Sequence, residues 1–386
     1  MDSEQPVYLD YAATTPCDPR VAAVMQTCLT LQGLFGNPAS IHPYGRLARA
    51  RVEQARAQVA ALIHAPAPQL VWTSGSTEAN NLAILGTARA LRARGRHLIT
   101  VRTEHKSVLD PCRHLQQEGF EVTYLNPDSD GLIATDQVRE ALRPDTLLVS
   151  VMHANNEIGV LQPIDAIGAL CRAHGAALHV DASQSAGKLQ IDVGRMQCDL
   201  LSFTAHKLYG PKGVGVLYFT AQRRASLQPL IYGGGHERGL RSGTLPVHQI
   251  AGFGTACELA AASMSEDAAH CQRLRELLWA GLSGIPGAIL NGHPTQRVGN
   301  ILNVSFPGVE GESLLMGLTE LAVSTGSACN SDSDEPSYVL RALGRDTELA
   351  QSSLRFSVGR FSSEADIAIA VAAVSREVQR LRAAAA

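Results

Sequence analysis

The sequence predicts an α/β protein with a large, mainly parallel, doubly wound sheet and a second, smaller α/β domain. Short apolar strands alternate with helical patterns from residue 41 to residue 219, and the pattern changes after Gly254. Alternation of this kind is typical of a parallel sheet with helices on both faces. The length of 386 residues is also too great for one small core.

The predicted elements follow one another in a regular order. An amphipathic helix is expected over 41–65, where Leu47, Val52 and Val59 recur at helical spacing. A strand over 70–72, a turn and a helix from residue 79 come next. Further strands are predicted at 97–101, 121–125, 147–152, 177–180, 200–203 and 214–219, with helices at 109–118 and 164–174. The rest of the chain predicts a helix over about 255–282, strands near 301–306 and 321–324, a Ser/Asp-rich loop and a terminal helix from residue 364.

Composition and charge narrow the class of protein. Hydrophobic residues make up 45% of the chain and charged residues 18%, which is typical of a globular enzyme and not of a disordered chain. The formal net charge of −3 predicts no direct binding to nucleic acid. No apolar run reaches the roughly 18 residues of a membrane helix, and residues 1–6 are too polar for a secretory signal. A cytoplasmic protein that does not enter a membrane is therefore expected.

One of only four lysines stands in a setting that indicates chemistry. Lys207 follows the apolar stretch 200–203, and Asp181 ends another apolar stretch at 176–180. A pyridoxal phosphate enzyme needs such a pair, because the lysine forms a Schiff base with the cofactor and the carboxylate keeps the ring nitrogen protonated. A surface lysine and a strand-end aspartate in a turn are the structural alternative, and Lys212 is the second candidate for the Schiff base.

Other polar residues also follow predicted strands. Ligands in doubly wound sheets lie at the carboxyl ends of the strands. A phosphate site is indicated where Ser74-Gly75-Ser76-Thr77 opens a helix, since the first amides of a helix are unpaired; an ordinary N-cap is the alternative. His105 is a candidate to stack on a planar ring or to act as acid or base. The residues at strand ends are Thr77, Asn156, Asp181, His206 and Lys207, and a glycine-rich basic loop covers 233–244.

The eight cysteines are scattered without a CxxC pair, so reduced thiols are expected and not a disulfide framework or a zinc knuckle. Most lie in helix-like or apolar stretches, where cysteine packs as a small hydrophobic residue. Cys329 differs, because its neighbours from 324 to 333 are small or polar. An exposed thiol there is a candidate nucleophile that needs a cationic pocket to form its thiolate, or else an incidental surface cysteine. Arg355, in an apolar, strand-like setting, is a candidate to bind a carboxylate.

Together these motifs resemble the cysteine desulfurases of the IscS/NifS type, within the fold-type I, aspartate aminotransferase-like pyridoxal phosphate enzymes. The resemblance runs nearly end to end. It implies a large domain over 16–262 that binds pyridoxal phosphate, and a small domain of 1–15 and 263–386 with a catalytic cysteine loop at about 324–336. The segments that carry it are 8–15 (YLDYAATT), 36–40 (GNPAS), 103–106 (TEHK), 153–159, 179–184, 233–246, 324–329 (STGSAC) and 335–344.

The resemblance also implies a role for each candidate residue. Lys207 would form the Schiff base, Asp181 would pair with the ring nitrogen, and His105 would stack on the ring and act as acid or base. Cys329 would become the persulfide, and it is also the residue implied as a transient iron–sulfur ligand. The other implied contacts are Ser76, Thr77, Thr204 and His206 near the phosphate, Asn156 and Gln184 at the ring, Thr244 at the phosphate of the neighbouring subunit, and Arg355 with Asn156 at the substrate.

The implied reaction converts L-cysteine to L-alanine and leaves a persulfide on Cys329. Implied partners are a second copy of the chain, an iron–sulfur scaffold protein and other sulfur acceptors, including those of tRNA thiolation. A selenocysteine lyase or an aminotransferase on the same fold is an alternative, and so is a scaffold or regulator without activity.

Two features depart from the family's pattern. Thr204-Ala205 stands where the family usually has Ser-Gly before His-Lys, which keeps the hydroxyl but adds a methyl group at a tight turn. The chain also ends at Ala386, without the longer tail that IscS-type members use to contact their scaffold. This second departure bears on the scaffold contact and not on the chemistry.

Overall fold

The computed structural model describes residues 5–325 and 335–385, and it contains the predicted alternation of strands and helices. Its elements, in chain order, are β1 (Val7–Tyr8), α1 (Pro19–Gln26), α2 (Pro43–Leu62), β2 (Leu70–Thr73), α3 (Ser76–Ala90), β3 (His97–Val101), α4 (Lys106–Gln117), β4 (Glu121–Leu125), α5 (Thr135–Ala141), β5 (Thr146–Ser150), α6 (Ile164–His174), β6 (Ala177–Asp181), β7 (Leu200–Thr204), β8 (Gly215–Phe219), α7 (Val247–Leu282), β9 (Ile289–Asn291), β10 (Ile301–Ser305), α8 (Gly311–Gly317), β11 (Leu321–Ala322), α9 (Tyr338–Ala342), α10 (Thr347–Gln351), β12 (Ser353–Ser357) and α11 (Glu364–Ala385).

The large sheet has seven strands in the order β2–β8–β7–β6–β5–β3–β4. β8 runs antiparallel to β2 and β7, and the remaining pairings are parallel. Every residue of β5, β6, β7 and β8 is buried. Strands that are buried on both faces read as continuous apolar runs, which is why the sequence predicted them within one or two residues. The mainly parallel, doubly wound sheet is confirmed.

Strand register brings several turns to one edge of this sheet. Asp181, at the end of β6, pairs with Ser202 of β7. Thr204, at the end of β7, pairs with Gly215, which also pairs with Thr73 at the end of β2. The turns that follow β2, β6 and β7 therefore lie side by side, and they carry the phosphate, aspartate and lysine candidates.

Two hydrophobic cores lie on either side of the middle of α7. The first half of this helix, including Ile250 and Phe253, packs into the core of the large sheet. The second half, including Leu274 and Leu278, packs with the antiparallel sheet β12–β10–β9 and with α11 in a separate core. The predicted boundary between 262 and 263 falls inside this helix, and the division into two domains stays a prediction.

The start of α7 is a correction, because the helix begins at Val247 and not near residue 255. Gly252 and Gly254 weaken the helical pattern of the sequence there. Both glycines serve close packing: a Cβ on Gly254 would lie 2.6 Å from Cα of Ala55 in α2, and one on Gly252 would lie 2.7 Å from Cγ of Met25. Helix packing against α1 and α2 therefore outweighs the low propensity of glycine.

Several short elements went unpredicted, namely β1, α1, α5, β9, α8, α9 and α10. The strand expected over 321–324 is shorter, because β11 ends at Ala322; it pairs in parallel with β1. Short elements carry too few residues for a periodic signal. Across the described ranges, no helix is both long enough and apolar enough to cross a membrane.

Candidate active site

Lys207 ends the short turn that follows β7, at the edge where the sheet's turns meet. Its Nζ donates hydrogen bonds to the carbonyl oxygens of Ala12 and Ala13, the latter at 2.6 Å. These carbonyls belong to a segment that is tied to β12, because the amide of Ala12 donates to Oγ of Ser357 at 2.8 Å. The lysine therefore lies where the N-terminal segment, the large sheet and the small sheet meet.

Asp181 is a buried carboxylate held from both of its oxygens. The amide and the hydroxyl of Ser183 donate to Oδ1 at 2.9 and 2.6 Å. Nδ2 of Asn80, on α3, donates to Oδ2 at 2.8 Å. Three donors hold the carboxylate in one orientation. The structure thus provides a fixed negative charge at the end of β6.

His105 is linked to Asp181 through two intervening side chains. The backbone amide of Ser107 donates to Nδ1 of His105 at 3.1 Å, so Nδ1 is an acceptor, and the Ser107 hydroxyl lies 2.8 Å from the same atom. Asn80 donates to that hydroxyl at 2.9 Å and to Asp181 at 2.8 Å. Burial, the largest cause, lowers the pKa of His105; the charge of Asp181 opposes this, and the charge of Lys207 lowers the pKa further. The imidazole is therefore neutral and carries its proton on Nε2.

The start of α3 forms the side that was predicted to bind phosphate. Ser76 and Thr77 occupy its first turn, where backbone amides have no acceptor within the helix. Thr77 and His105 both line an open cleft of about 440 Å³. Glu78 also lies in this turn, but it accepts from the amide of Ser74 at 2.7 Å and pairs with Arg241 at 2.9 Å. Its charge is therefore already neutralised.

Two further phosphate candidates, Thr204 and His206, make contacts within the chain. The Thr204 hydroxyl donates to the carbonyl of Val214 at 3.0 Å, so its hydrogen is already used. Nδ1 of His206 lies 3.1 Å from Oγ1 of Thr14, and burial, followed by Lys207, lowers the pKa of His206 to about 4. The extra methyl of Ala205 is buried, and a Cβ on Gly210 would lie 2.8 Å from it. A glycine opposite thus makes room for this departure from the family's pattern.

Gln184 is oriented by two contacts that the sequence did not reveal. Its Nε2 donates to the carbonyl of Ala12 at 2.8 Å, the same oxygen that accepts from Lys207. Nζ of Lys188 donates to its Oε1 at 3.2 Å and to its backbone carbonyl at 3.1 Å. Lys188 therefore fixes which end of the Gln184 amide faces the N-terminal segment.

The substrate candidates, Arg355 and Asn156, contact each other. Arg355 lies in β12 and is 4% exposed. Its Nη1 donates to the carbonyl of Asn156 at 3.0 Å, and its Nη2 donates to Oδ1 of Asp10 at 2.7 Å. Nε of Arg355 and Oδ1 of Asn156 are buried and have no partner among the described residues. The guanidinium therefore already holds one carboxylate and keeps its Nε donor unused.

Two predicted site residues are not brought into this arrangement. Cys329 lies outside the described residues, and so does most of its loop. Thr244 is exposed on the single chain, in the segment that precedes α7. Cys17 is exposed, and the other described cysteines are buried, as expected for most of them. In the described part of the chain, no cluster of three or more His, Cys, Asp or Glu side chains could hold a metal ion.

The donor set fits pyridoxal phosphate. It offers an amine at Lys207, a fixed carboxylate at Asp181 and helix amides at Ser76 and Thr77, which suit the aldehyde, the ring nitrogen and the phosphate respectively. The unpartnered Oδ1 of Asn156 is a buried polar atom that a bound ligand can satisfy.

Sequence reasoning missed four groups of this site: Asn80, Ser107, Lys188 and Asp10. Asn80 and Asp10 act on side chains that the fold brings close, whereas Ser107 and Lys188 lie only two and four positions from the residues that they contact. Asn80 gave one usable signal, because it is an amide in the otherwise apolar stretch of α3 and is 0% exposed.

Comparisons with known proteins agree with this geometry. The family model described as "Aminotransferase class-V" matches residues 7–369. Cysteine desulfurase IscS of Shewanella baltica (strain OS223) is 55% identical over 98% of this chain and 94% of its own length. Cysteine desulfurase IscS of Tolumonas auensis is 56% identical over the same shares.

Solved structures give the same result. A protein titled "NIFS-LIKE PROTEIN" superposes with a TM-score of 0.91 at 35% identity, and the match covers 98% of this chain and 100% of that one. A structure titled "SspA in complex with cysteine" gives a TM-score of 0.81 at 38% identity and covers 92% and 99%. The predicted resemblance to the IscS/NifS type and the fold-type I architecture are confirmed.

Proposed function

This chain belongs to the aminotransferase class-V family and, within it, to the cysteine desulfurases of the IscS/NifS type, and we propose that it transfers sulfur from L-cysteine to its own Cys329 at a pyridoxal phosphate held by Lys207. The identity to IscS proteins over nearly the full length supports the reaction. The observation that carries the residue roles is the meeting of Lys207, Asp181 and the start of α3 at one edge of the sheet.

Pyridoxal phosphate supplies an electron sink for the bond-breaking at Cα of cysteine. Lys207 would hold the cofactor covalently and would supply the amine that takes the Cα proton of the substrate. Asp181 keeps a negative charge beside the ring nitrogen, and Asn80 and Ser183 hold that carboxylate in place. The amides of Ser76 and Thr77 would bind the phosphate. Neutral His105 offers the proton on its Nε2 to the reacting groups.

The remaining steps use groups from the small-sheet side. Arg355 binds the substrate carboxylate, and its unpartnered Nε provides a donor for it. Sγ of Cys329 then attacks the sulfur of cysteine: an S–S bond forms, the C–S bond breaks, and the carbon that loses sulfur gains a proton. The balance is L-cysteine plus the Cys329 thiol giving L-alanine plus the Cys329 persulfide.

The persulfide then passes to other proteins. We propose an iron–sulfur scaffold as the main acceptor, because the relatives carry the name IscS, and acceptors for tRNA thiolation as a second destination. The enzyme acts in the cytoplasm, where unpaired cysteines stay reduced. Two copies form a homodimer in which the exposed Thr244 of each copy reaches the phosphate of the other.

The test is a single turnover of the purified protein with L-cysteine, followed by intact-mass and peptide analysis. We expect one added sulfur atom on Cys329 together with released alanine. Cys329→Ala should abolish both the added sulfur and alanine formation while the cofactor stays bound. Cys17→Ala is the matched control, because Cys17 is an exposed thiol outside the site.

The outcomes separate the proposed function from its rivals. Alanine formation that continues in Cys329→Ala would favour a lyase of the selenocysteine type. Cofactor without alanine or added sulfur would favour another reaction on this fold. Failure to bind the cofactor would favour a protein without activity.

A further inference from the structure

A second cavity lies behind Lys207, between the two hydrophobic cores. Its volume is about 140 Å³. Leu208 and Ala260 of the large core and Cys271 and Val358 of the small core line it. Neither Asp181 nor His105 is among the described residues that line it, so this space is separate from the cofactor side of the lysine.

Arg297 lines this cavity with an incompletely paired charge. The side chain is 7% exposed. Its Nη2 donates to the carbonyls of Ile158 and Ile301 at 2.9 and 3.0 Å. Its Nε and Nη1 have no acceptor, and no carboxylate pairs with it, within the described ranges. A buried guanidinium stays charged, and such a charge needs a counter-charge or further hydrogen bonds.

Lys188 adds a second cation to the same cavity. Two of its three N–H groups are accounted for by the backbone and side-chain oxygens of Gln184. Burial, followed by the charge of Lys207, lowers the pKa of Lys188 to about 7. The surroundings of Lys188 therefore disfavour its charged form unless a negative group lies nearby.

The one acid that lines the cavity among the described residues does not supply this counter-charge. Asp267 is bound by Arg360, whose Nη2 lies 2.7 Å from Oδ2 and whose Nε lies 3.2 Å from Oδ1. The hydroxyl of Ser263 also donates to Oδ2 at 2.8 Å. The charge of Asp267 is therefore already matched by Arg360, and the walls of the cavity are left with an excess of positive charge.

We propose that this cavity is a binding site for a small, singly charged anion, held by Nε and Nη1 of Arg297 and by Lys188. The volume admits a halide or a formate-sized anion together with water. A bound water would also satisfy Oδ1 of Asn300, a lining atom that has no donor among the described residues. The proposal does not rest on the proposed reaction, because neither Arg297 nor Lys188 reacts in it, although Lys207 also lines the cavity.

The experiment uses the purified full-length protein and sodium bromide as the probe. Thermal unfolding is followed in increasing bromide, with sodium gluconate, whose anion is too large for the cavity, keeping the ionic strength constant. We expect a saturable rise in Tm of about 1–3 °C, as for a ligand that binds only the folded state. Crystals soaked in bromide should show an anomalous peak within hydrogen-bond distance of Arg297.

Variants assign the effect to the site. Arg297→Met should remove the saturable rise, and Arg297→Lys serves if the methionine variant does not fold, because it keeps the charge but loses donors. Arg273→Gln is the matched control, since Arg273 lies on α7 two positions from the lining residue Cys271, is exposed and pairs with Glu364; it should respond like the wild type. A rise that persists in both Arg297 variants, or crystals with water alone in the cavity, would overturn the proposal.

Discussion

The two halves of the site differ in how completely their polar groups are paired. On the large sheet, Asp181 accepts three hydrogen bonds and Nδ1 of His105 accepts from Ser107, so these groups are fixed by the protein itself. At the substrate candidates, Nε of Arg355, on the small sheet, and Oδ1 of Asn156, after β5, are buried without partners in the described chain.

This difference follows from what each half has to hold. A cofactor that stays bound benefits from groups that are oriented in advance, because no reorganisation is then needed during the reaction. A substrate that enters and leaves in every turnover needs donors that are still available. The contact between Arg355 and Asp10 can be exchanged for a substrate carboxylate, whereas the contacts of Asp181 have no reason to change.

The largest effect is expected from a substitution of Lys207, on the large-sheet side of the site. Lys207→Arg keeps the charge but removes the amine that attaches the cofactor and transfers the proton, so alanine release should fall by roughly 10²–10⁴-fold from lost proton transfer alone. Lys212→Arg is the matched control, because Lys212 is exposed, and it should change the rate by less than about twofold. Borohydride reduction and peptide mapping should find the cofactor on Lys207. A cofactor found on Lys212 would contradict the assignment.

Changes to the substrate-binding candidates should alter KM more than kcat. Arg355→Lys loses the paired donors of the guanidinium, and KM for L-cysteine should rise about 10–100-fold, the equivalent of a charged hydrogen bond. Asp10→Asn removes the competing carboxylate and should lower KM, because Arg355 is then released. Steady-state kinetics of both variants test this. An equal rise of KM in Asp10→Asn would mean that Asp10 positions the arginine and does not compete with the substrate.

The same contrast explains what could be predicted from the sequence. Buried parallel strands give continuous apolar runs, and their ends place Lys207 and Asp181 at one edge. His105 was identifiable because it follows a strand. Asp10 was not identified as the partner of Arg355, because 345 positions separate them.

Asn80 was missed for a related reason. It lies inside a helix, in a pattern that reads as ordinary packing against the sheet, and its importance comes only from facing both Ser107 and Asp181. The start of α7 was misplaced because two glycines that pack against α1 and α2 interrupt its pattern. Tertiary contacts, and not local propensity, decide each of these features.

The smallest expected effect comes from a variant that removes hydrogen bonds around Asp181 and Ser107 without removing a reacting group. Asn80→Ala deletes the donor shared by Ser107 and Asp181. We expect kcat/KM to fall about 5–30-fold, since each lost hydrogen bond to a charged or buried group contributes about 1–2 kcal/mol. Asn81→Ala is the matched control on the same helix, because its amide donates to the carbonyl of Thr77 instead.

The pH profile distinguishes this positioning role from a general loss of stability. Burial lowers the pKa of His105, so the neutral imidazole persists below its ordinary pKa of about 6.5, and wild-type activity should decline only at more acidic pH. In Asn80→Ala the cleft admits more water, which reduces the burial effect, so the acidic limb of kcat/KM should move toward neutral pH. Asn81→Ala should keep the wild-type profile. An acidic limb that stays unchanged in Asn80→Ala, with only a lower melting temperature, would show that the network stabilises the fold and does not tune the histidine.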